Sequence, residues 1–325
     1  MSMSQSLRKP VQLTEQDEIT DDLGEILAGL RKPQKSLSPK FFYDEEGSRL
    51  FDQICELPEY YPTNTELSIM QQHVGEMAER IGPQASLIEF GSGSSLKIRI
   101  LLQHLDQLAA YVPVDISREH LVRAADAITQ DFPDIEVLPV AADFTHAFEL
   151  PGPRVMPIRN VVYFPGSTIG NFSPEAAHEL LTVMHHEAGE NGALLIGIDL
   201  QKDVRIIERA YNDGAGITAQ FNLNILRRLN REFAANFDLE NFRHHACYNA
   251  EFGRIEMYLV STCKQSVQIG GQHISFEVDE MLLTEHSHKY THEGFARMAR
   301  RAGFTVAESW TDDDEMFSVQ YCLRN

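Results

Sequence analysis

Between about residues 64 and 200 the sequence alternates between helical patterns and short apolar strands, and this alternation constrains the fold more than any other feature. The predicted strands are 86–90, 111–115, 135–140, 160–164 and 192–200. Helical patterns separate most of them, and Ser173 with Pro174 forms a typical helix start because serine caps and proline suits the first turn. Such alternation predicts an α/β domain with a parallel sheet covered by helices on both faces.

Outside this region the pattern changes. Helices are predicted over 14–30 and 45–57, a proline-bracketed loop over 57–62, long helices over 203–236, and extended segments over 242–278. The α/β pattern resumes after Lys289, with a helix over 292–302 that ends at Gly303 and strands over 304–308 and 317–323. We therefore expect one α/β domain, 64–200 and 290–325, and a second domain made of the N-terminal segment and an insertion, 12–63 and 201–289.

The net charge of the chain limits the classes of partner that it can bind. The chain has 28 Lys and Arg against 48 Asp and Glu, which gives a formal net charge of −20. Affinity for nucleic acids comes largely from cations that displace counterions, and anionic membranes likewise attract basic segments. We therefore expect neither a nucleic-acid nor a membrane partner.

Several features favour the cytoplasm. No stretch approaches the ~20 apolar residues that span a bilayer, and residues 1–13 lack the apolar core of a secretion signal. The four cysteines are scattered without a close pair, which suits a reducing compartment better than a disulfide framework. Histidines cluster at three places without a recognised ligand spacing, so we expect no metal site. These clusters are His185 with His186, His244 with His245, and His286 with His288.

The turn Gly91-Ser92-Gly93 directly follows a predicted strand and precedes a helical pattern that starts at Leu96. This arrangement lets a backbone approach a cofactor and presents free helix N–H groups, although such turns are often purely structural. The third glycine of the dinucleotide fingerprint is missing, because Leu96 occupies its place. Tight packing of a pyrophosphate is therefore disfavoured, and with it an NAD-dependent oxidoreductase.

Acidic residues follow the next two strands. Asp115 lies 24 residues after Gly91, where a carboxylate accepts hydrogen bonds from ribose hydroxyls. Asp143 can bind an exocyclic amino group, and the neighbouring Phe144 can cover an adenine. A nucleoside without a diphosphate matches these residues better than NAD does, which points to S-adenosylmethionine.

Eight short motifs lie along the chain. They are FYDxxGSxLF at 42–51, LPEYYPTxTE at 57–66, ExGSG at 89–93, GSTIGN at 166–171, AYND at 210–213, GxTAxFN at 216–222, RIEM at 254–257 and LTExSxK at 283–289. Together they resemble the histidine Nα-methyltransferases of ergothioneine biosynthesis, from about residue 12 to the C-terminus. The resemblance implies a class I S-adenosylmethionine-dependent methyltransferase: a Rossmann-like parallel sheet with an antiparallel edge strand, plus an α+β substrate-binding domain.

The resemblance also implies an activity and its residues. The family adds three methyl groups to the α-amino nitrogen of free L-histidine, giving hercynine, and we expect a monomer. Residues that would contact S-adenosylmethionine are Gly91, Gly93, Lys97, Asp115, Asp143 and Phe144. Residues that would surround the amino acid are Tyr43, Tyr60, Asn171, Tyr211, Met257, Glu285 and Ser287, with Tyr43 and Asn171 in catalytic positions.

The chemistry agrees with these assignments. The Asn171 amide and the Tyr211 hydroxyl can donate to a carboxylate, although Asn171 can also cap the helix that Ser173 opens. Glu285 and Ser287 alternate on an extended segment, so both point the same way and can contact one imidazole nitrogen, while Tyr60 can hold the other.

Two alternatives stay open. Relatives in the broader family methylate other amino acids, including a prenylated tryptophan, so the acceptor can be another amino acid or a modified histidine. A non-catalytic S-adenosylmethionine-binding protein is the second alternative. The sequence departs from the family pattern at Asn64 and at His286 and His288, and the two histidines could tune the pH dependence near neutrality.

Overall fold

The computed structural model describes residues 15–92 and 96–325. The helices are α1 Glu15–Leu30, α2 Glu45–Cys55, α3 Tyr61–Ile81, α4 Leu96–Leu102, α5 Arg118–Asp131, α6 Pro174–Ala188, α7 Val204–Tyr211, α8 Ile217–Glu232 and α9 His292–Arg301. The strands are β1 Ala85–Phe90, β2 Ala110–Asp115, β3 Val140–Ala141, β4 Arg159–Phe164, β5 Ala193–Asp199, β6 Phe242–Asn249, β7 Arg254–Ser261, β8 Gln265–Ile269, β9 Gln272–Phe276, β10 Met281–His288, β11 Phe304–Thr311 and β12 Phe317–Arg324. Short 3-10 helices span Pro39–Phe42, Thr168–Asn171 and Leu239–Asn241.

The chain divides into two compact units. The larger unit comprises Arg49–Thr218, Ala246–Met257 and His286–Asn325. The smaller unit comprises Ala219–His245, Tyr258–Glu285 and the described part of Met1–Ser48. The domain limits inferred from the sequence remain a prediction.

A seven-stranded sheet, among the described residues, lies in the larger unit in the order β11-β12-β5-β4-β1-β2-β3. Strands β1 to β5 run parallel where they pair. Strand β12 runs antiparallel to both β5 and β11. The predicted parallel sheet with an antiparallel edge is therefore confirmed.

The central strands are buried because helices cover both faces of this sheet. All six residues of β1 are buried, and successive side chains of a strand point to opposite faces. Ile88 belongs to one buried cluster together with Leu181 of α6 and Phe295 of α9, whereas the adjacent Leu87 belongs to a second cluster together with side chains of α3 and α4. A continuous apolar run is the sequence that such a doubly covered strand requires.

Local signals set the helix starts and ends. The Ser173 hydroxyl accepts the Ala176 N–H at 3.2 Å, and Pro174 is the first residue of α6. Gly303 has φ +91° just beyond α9, in the left-handed region that glycine adopts most readily. Both predicted boundaries are confirmed.

Prolines account for two differences from the predicted elements. Helix α3 begins at Tyr61, and Pro62 lies in its first turn, where a missing N–H leaves no helical hydrogen bond unmade. Tyr61 is consequently a helix residue rather than part of a loop. The predicted strand over 135–140 shrinks to β3 with an isolated bridge from Val137 to Tyr111. Pro139 lies between them and has no N–H to offer a ladder.

The remaining strands confirm the extended segments predicted over 242–278. Strands β10, β7 and β6 form a sheet in that order, and β8 pairs with β9 as an antiparallel hairpin. Gly270 and Gly271 both have positive φ angles at the hairpin turn, which a two-residue turn of this twist favours. Within residues 15–92 and 96–325 no helix combines the length and apolarity needed to cross a membrane.

Candidate active site

The loop after β1 brings backbone close to an aromatic ring. Gly91 has φ +74°, and its N–H donates to the Val114 carbonyl at 2.9 Å. A Cβ at this position would meet the Phe144 ring at 3.6 Å, so a side chain would fill the space beside it. Glycine is required here by its backbone angle and leaves the backbone accessible. Gly93 lies outside the described residues.

Ser92 carries an orphaned polar atom. Its side chain is buried, with 3% exposure, and its Oγ has no hydrogen-bond partner among the described residues. A buried hydroxyl without a partner costs free energy. A polar ligand atom at this loop would remove that cost.

Two carboxylates lie after the neighbouring strands. Asp115 ends β2 and accepts the Ser117 N–H at 2.8 Å. Asp143 accepts the N–H of Thr145 at 2.9 Å and its hydroxyl at 2.6 Å. Burial alone would raise the pKa of Asp143, but the hydrogen bonds from Thr145 outweigh burial and lower the pKa. Asp143 is therefore an ionised acceptor at neutral pH.

Neighbouring rings hold Phe144 in place. Its ring centroid lies 5.5 Å from that of Phe90 and 5.8 Å from that of Phe164, the second pair meeting edge to face. Because Phe144 also lies beside Gly91, the loops after β1 and β3 come together. The carboxyl ends of parallel strands are where this kind of sheet binds ligands.

Lys97 of α4 is ion-paired with Glu66 of α3. The Glu66 carboxylate is buried and accepts the Gly166 N–H with both oxygens, each at 3.0 Å. The carboxylate thus joins Lys97 to the loop after β4. Sequence reasoning did not assign Glu66 a role, although it is the last residue of the LPEYYPTxTE motif.

The tyrosines predicted to bind the amino acid meet in the larger unit. The rings of Tyr60 and Tyr211 lie edge to face with centroids 6.0 Å apart, and Phe51 packs on Tyr60 at 6.3 Å. Tyr60 precedes α3, and the buried Tyr211 ends α7. The structure therefore brings this predicted pair together.

A buried group of three charged residues and one tyrosine lies next to Tyr211. We name it the lysine cluster, and its members are Tyr61, Asp199, Lys202 and Lys289. Asp199, at the end of β5, accepts from Lys289 Nζ at 2.8 Å, from the Tyr61 hydroxyl at 2.8 Å, and from Lys202. Burial would raise the pKa of Asp199, but the two lysines lower it.

The two lysines of the cluster differ. Burial would lower the pKa of Lys289, but the Asp199 carboxylate raises it well above its usual value. Burial lowers the pKa of Lys202 to about 8 in spite of the same carboxylate. Lys289 is thus held as a permanent cation at neutral pH.

Lys289 links the cluster to two predicted substrate residues. Its ammonium donates to the Tyr211 hydroxyl oxygen at 3.1 Å and to the Ser287 Oγ at 3.0 Å. Sequence reasoning noted Lys289 only as the last residue of the LTExSxK motif and missed Asp199, Lys202 and Tyr61. The position of Asp199 at the carboxyl end of a strand is the signal that could have marked it.

Asn171 ends the 3-10 helix after β4. Ser173, not Asn171, caps α6, and no described residue hydrogen-bonds the Asn171 side chain. A Cβ on the preceding Gly170 would lie 3.1 Å from Ser287 Oγ and 2.8 Å from the His288 carbonyl oxygen. Gly170 therefore lets this loop lie directly against β10, which places Asn171 one residue from a contact with Ser287.

The other predicted substrate residues are distributed over both units. Met257 is buried on β7 in the larger unit. Tyr43 and Glu285 belong to the smaller unit. Tyr43 is exposed and packs edge to face on Phe221 at 6.0 Å, whereas Glu285 is buried.

The two histidines beside Ser287 are anchored to backbone carbonyls. His286 hydrogen-bonds the Phe172 carbonyl, and His288 Nδ1 donates to the Phe252 carbonyl at 3.2 Å. Burial, with the nearby Arg254, lowers the pKa of His286 to about 4. His286 therefore titrates below the neutral range, contrary to the suggestion that it tunes the pH dependence near neutrality.

Comparison with known proteins decides the family. The model of the histidine-specific, S-adenosylmethionine-dependent methyltransferases matches residues 22–324. The chain belongs to this family. It is 39% identical over 306 residues to the histidine N-alpha-methyltransferase of Mycolicibacterium smegmatis, covering 92% of this chain and 94% of that protein. It is 31% identical over 288 residues to the ergothioneine biosynthesis protein 1 of Neurospora crassa, covering 86% of this chain and 32% of that protein.

The fold agrees with the family. An S-adenosylmethionine-dependent methyltransferase from Clostridium acetobutylicum superposes with a TM-score of 0.50 at 9% identity, covering 85% of this chain and 98% of that one. The protein is therefore a class I methyltransferase and an enzyme, with S-adenosylmethionine as its cofactor and a small molecule as its substrate. The residues present fit that cofactor, because the Ser92 hydroxyl lacks a partner among the described residues and Gly91 leaves its backbone accessible.

Proposed function

We propose that this methyltransferase adds methyl groups to the α-amino nitrogen of free L-histidine, three in all, giving hercynine for ergothioneine biosynthesis. The observation that carries the proposal is the link from Lys289 to Tyr211 and Ser287. It ties two residues of the histidine-binding motifs into one buried, charged arrangement. The name of the mycobacterial relative supports the choice of histidine.

The strand-end loops of the larger unit would hold the cofactor. The proposed residues are Gly91, Gly93, Lys97, Asp115, Asp143 and Phe144. Asp115 would accept from ribose hydroxyls, Asp143 from the adenine amino group, and Phe144 would cover the adenine ring. When bound, S-adenosylmethionine supplies the methyl group on a sulfonium centre.

The remaining residues would hold the amino acid. Asn171 and Tyr211 would donate to its carboxylate, as polar groups that fix the orientation of a small ligand do. Ser287 and Tyr60 would contact the imidazole nitrogens, and Met257 would pack against the substrate. The imidazole contact of Glu285 and the catalytic role of Tyr43 remain predictions from the sequence.

The protein's contribution to the chemistry is alignment. The attacking amine must be neutral and in line with the methyl group, and holding two reactants in that geometry removes much of the entropic part of the barrier. A charge-assisted hydrogen bond to imidazole favours histidine over apolar side chains, because such chains would leave the buried polar groups unpaired.

An assay with purified protein, S-adenosylmethionine and L-histidine tests the proposal, with mass spectrometry counting the methyl groups on the product. We expect trimethylated histidine. Protein that binds S-adenosylhomocysteine but yields no methylated histidine at saturating cofactor would overturn it. Turnover compared across the amino acids and modified histidines separates histidine from another acceptor, and turnover of none of them would favour a non-catalytic binding protein.

We further propose that the enzyme is a monomer in the cytoplasm. All four cysteines are free thiols, which is compatible with a reducing compartment. Sedimentation equilibrium tests the monomer, and cell fractionation tests the location.

A further inference from the structure

We propose that Lys289 is a positioning residue that sets Tyr211 and Ser287 as hydrogen-bond donors, so that the site selects a substrate with a carboxylate and an unprotonated ring nitrogen. The inference rests on the proposed function, which makes Tyr211 and Ser287 substrate residues. It goes further by naming what orients them and which protonation state of the substrate they accept.

The ammonium of Lys289 uses all of its hydrogen-bond donors. A lysine ammonium has three N–H donors and no acceptor. Those of Lys289 go to Asp199 at 2.8 Å, Tyr211 at 3.1 Å and Ser287 at 3.0 Å. Its side chain is only 1% exposed, so water does not compete for them. The orientation of the ammonium is therefore fixed.

The fixed ammonium in turn orients the hydroxyls of Tyr211 and Ser287. Each oxygen accepts a hydrogen bond from the ammonium of Lys289, so each hydroxyl turns its own O–H away from Lys289. A further donor approaching either oxygen would also meet a positive charge. A substrate atom that brings a lone pair is therefore favoured, and an imidazolium N–H is disfavoured. A carboxylate oxygen and the bare nitrogen of a neutral imidazole both satisfy this requirement. A carboxylate such as that of Glu285 accepts only from an N–H, so Ser287 and Glu285 would not share one imidazole nitrogen.

The lysine cluster also has a net charge. The lysine cluster has one carboxylate, Asp199, against two ammonium groups, Lys202 and Lys289, so it carries one positive charge in excess. Burial keeps this charge poorly screened, because the effective dielectric constant is lower inside a protein. Only Lys289 bonds the hydroxyls that would face the substrate carboxylate, so it is the charge of Lys289, rather than that of Lys202, that complements this carboxylate.

Lys202 provides a matched control. It pairs with the same carboxylate and donates to the Tyr61 hydroxyl at 2.9 Å, but it does not hydrogen-bond Tyr211 or Ser287. Replacing either lysine with methionine removes one buried charge from Asp199. Only replacement of Lys289 also removes the donors that act on the substrate hydroxyls.

The experiment compares Lys289→Met with Lys202→Met. We expect Lys289→Met to raise the KM for L-histidine by about tenfold or more, as loss of charged hydrogen bonds does. Its Kd for S-adenosylhomocysteine should stay within about twofold of wild type, and Lys202→Met should raise the histidine KM by less than about threefold. Equal rises in KM in both variants, with equal losses in melting temperature, would overturn the inference in favour of a structural role.

Substrate discrimination gives a readout that a structural role would not move. Histamine lacks the carboxylate, so the ratio of kcat/KM for L-histidine over histamine should fall in Lys289→Met and stay near wild type in Lys202→Met. An unchanged ratio in Lys289→Met contradicts the inference.

Two further variants keep the inference testable if Lys289→Met does not fold. Ser287→Ala and Tyr211→Phe leave the ion pair of Lys289 with Asp199 intact. Each should raise the histidine KM, and if neither does, Lys289 has no group to act through and the inference fails. Wild-type protein that does not methylate histidine would instead overturn the proposed function, so the two failures are distinguishable.

Discussion

The strand-end loops and the lysine cluster lie in the same unit but hold their charges in opposite ways. In the loops, Asp143 has a side chain that is 49% exposed and accepts hydrogen bonds from a residue two positions away. In the cluster, Asp199 and Lys289 are each 1% exposed and pair across the fold. The loops leave acceptors open to a ligand, whereas the cluster completes its bonds internally and acts on the ligand through other side chains.

The difference separates binding from positioning. A partly exposed carboxylate that ends a strand contributes to affinity with little effect on the fold. A buried charge is stable only with its partners, so removing one partner affects stability as well as function. Substitutions in the strand-end loops should therefore change mainly ligand affinity, whereas substitutions in the lysine cluster should change stability as well.

The largest expected effect is a loss of stability when the carboxylate of the lysine cluster is removed. Asp199→Ala leaves Lys202 and Lys289 without their carboxylate, and breaking a buried pair costs about 3–5 kcal/mol. Urea unfolding followed by circular dichroism measures the loss in free energy of unfolding. The control is Asp203→Ala, which removes an exposed carboxylate that caps α7 and should cost less. Equal losses would show that the cluster is not held by its charges.

The next largest effects are expected on ligand binding, from substitutions of two carboxylates that act on different ligands. Asp115→Ala should weaken S-adenosylhomocysteine binding by about 1.5–3 kcal/mol and leave histidine affinity nearly intact, because it removes a charged acceptor. Glu285→Ala should weaken histidine binding by about the same amount and leave the affinity for S-adenosylhomocysteine unchanged. Calorimetry with each ligand measures both. An unchanged histidine KM in Glu285→Ala would count against its imidazole role.

A smaller effect is expected at the loop backbone. Gly91→Ala forces a left-handed angle on an L-residue, which costs about 1–2 kcal/mol, and places a methyl group 3.6 Å from the Phe144 ring. The Kd for S-adenosylhomocysteine should rise about tenfold. Gly152→Ala is the control, because a Cβ there meets nothing within 4 Å. If both variants bind alike, the loop does not approach the cofactor.

The effect that is smallest at neutral pH is a pH dependence of stability, set by His286 on the other side of β10 from Ser287. The pKa of His286 is lowered from 6.5 to about 4 by burial, Arg254 and His288. Below pH 6.5 the unfolded chain therefore binds a proton that the folded chain does not, and stability falls as the pH drops from 6.5 towards 4. His286→Phe should flatten this part of the stability profile. A profile as steep as wild type would contradict the assignment.

Sequence patterns predicted the loops better than the cluster. Gly91, Asp115 and Asp143 each follow a recognisable strand, so their common edge could be inferred from alternation alone. The motif resemblance named Tyr211 and Ser287 but not the charges behind them. The sequence predicts a loop at Tyr61, because the two nearby prolines conceal that α3 starts there.

The sequence by itself determined the α/β alternation, the glycine turn, the cap of α6 and the family motifs, because these depend on residues close together in the chain. Only the tertiary structure decided that Lys289, Asp199 and Tyr211 form one buried arrangement. The physical reason is that an isolated lysine or aspartate reads as a solvated surface residue, and burial becomes favourable only once distant partners neutralise its charge.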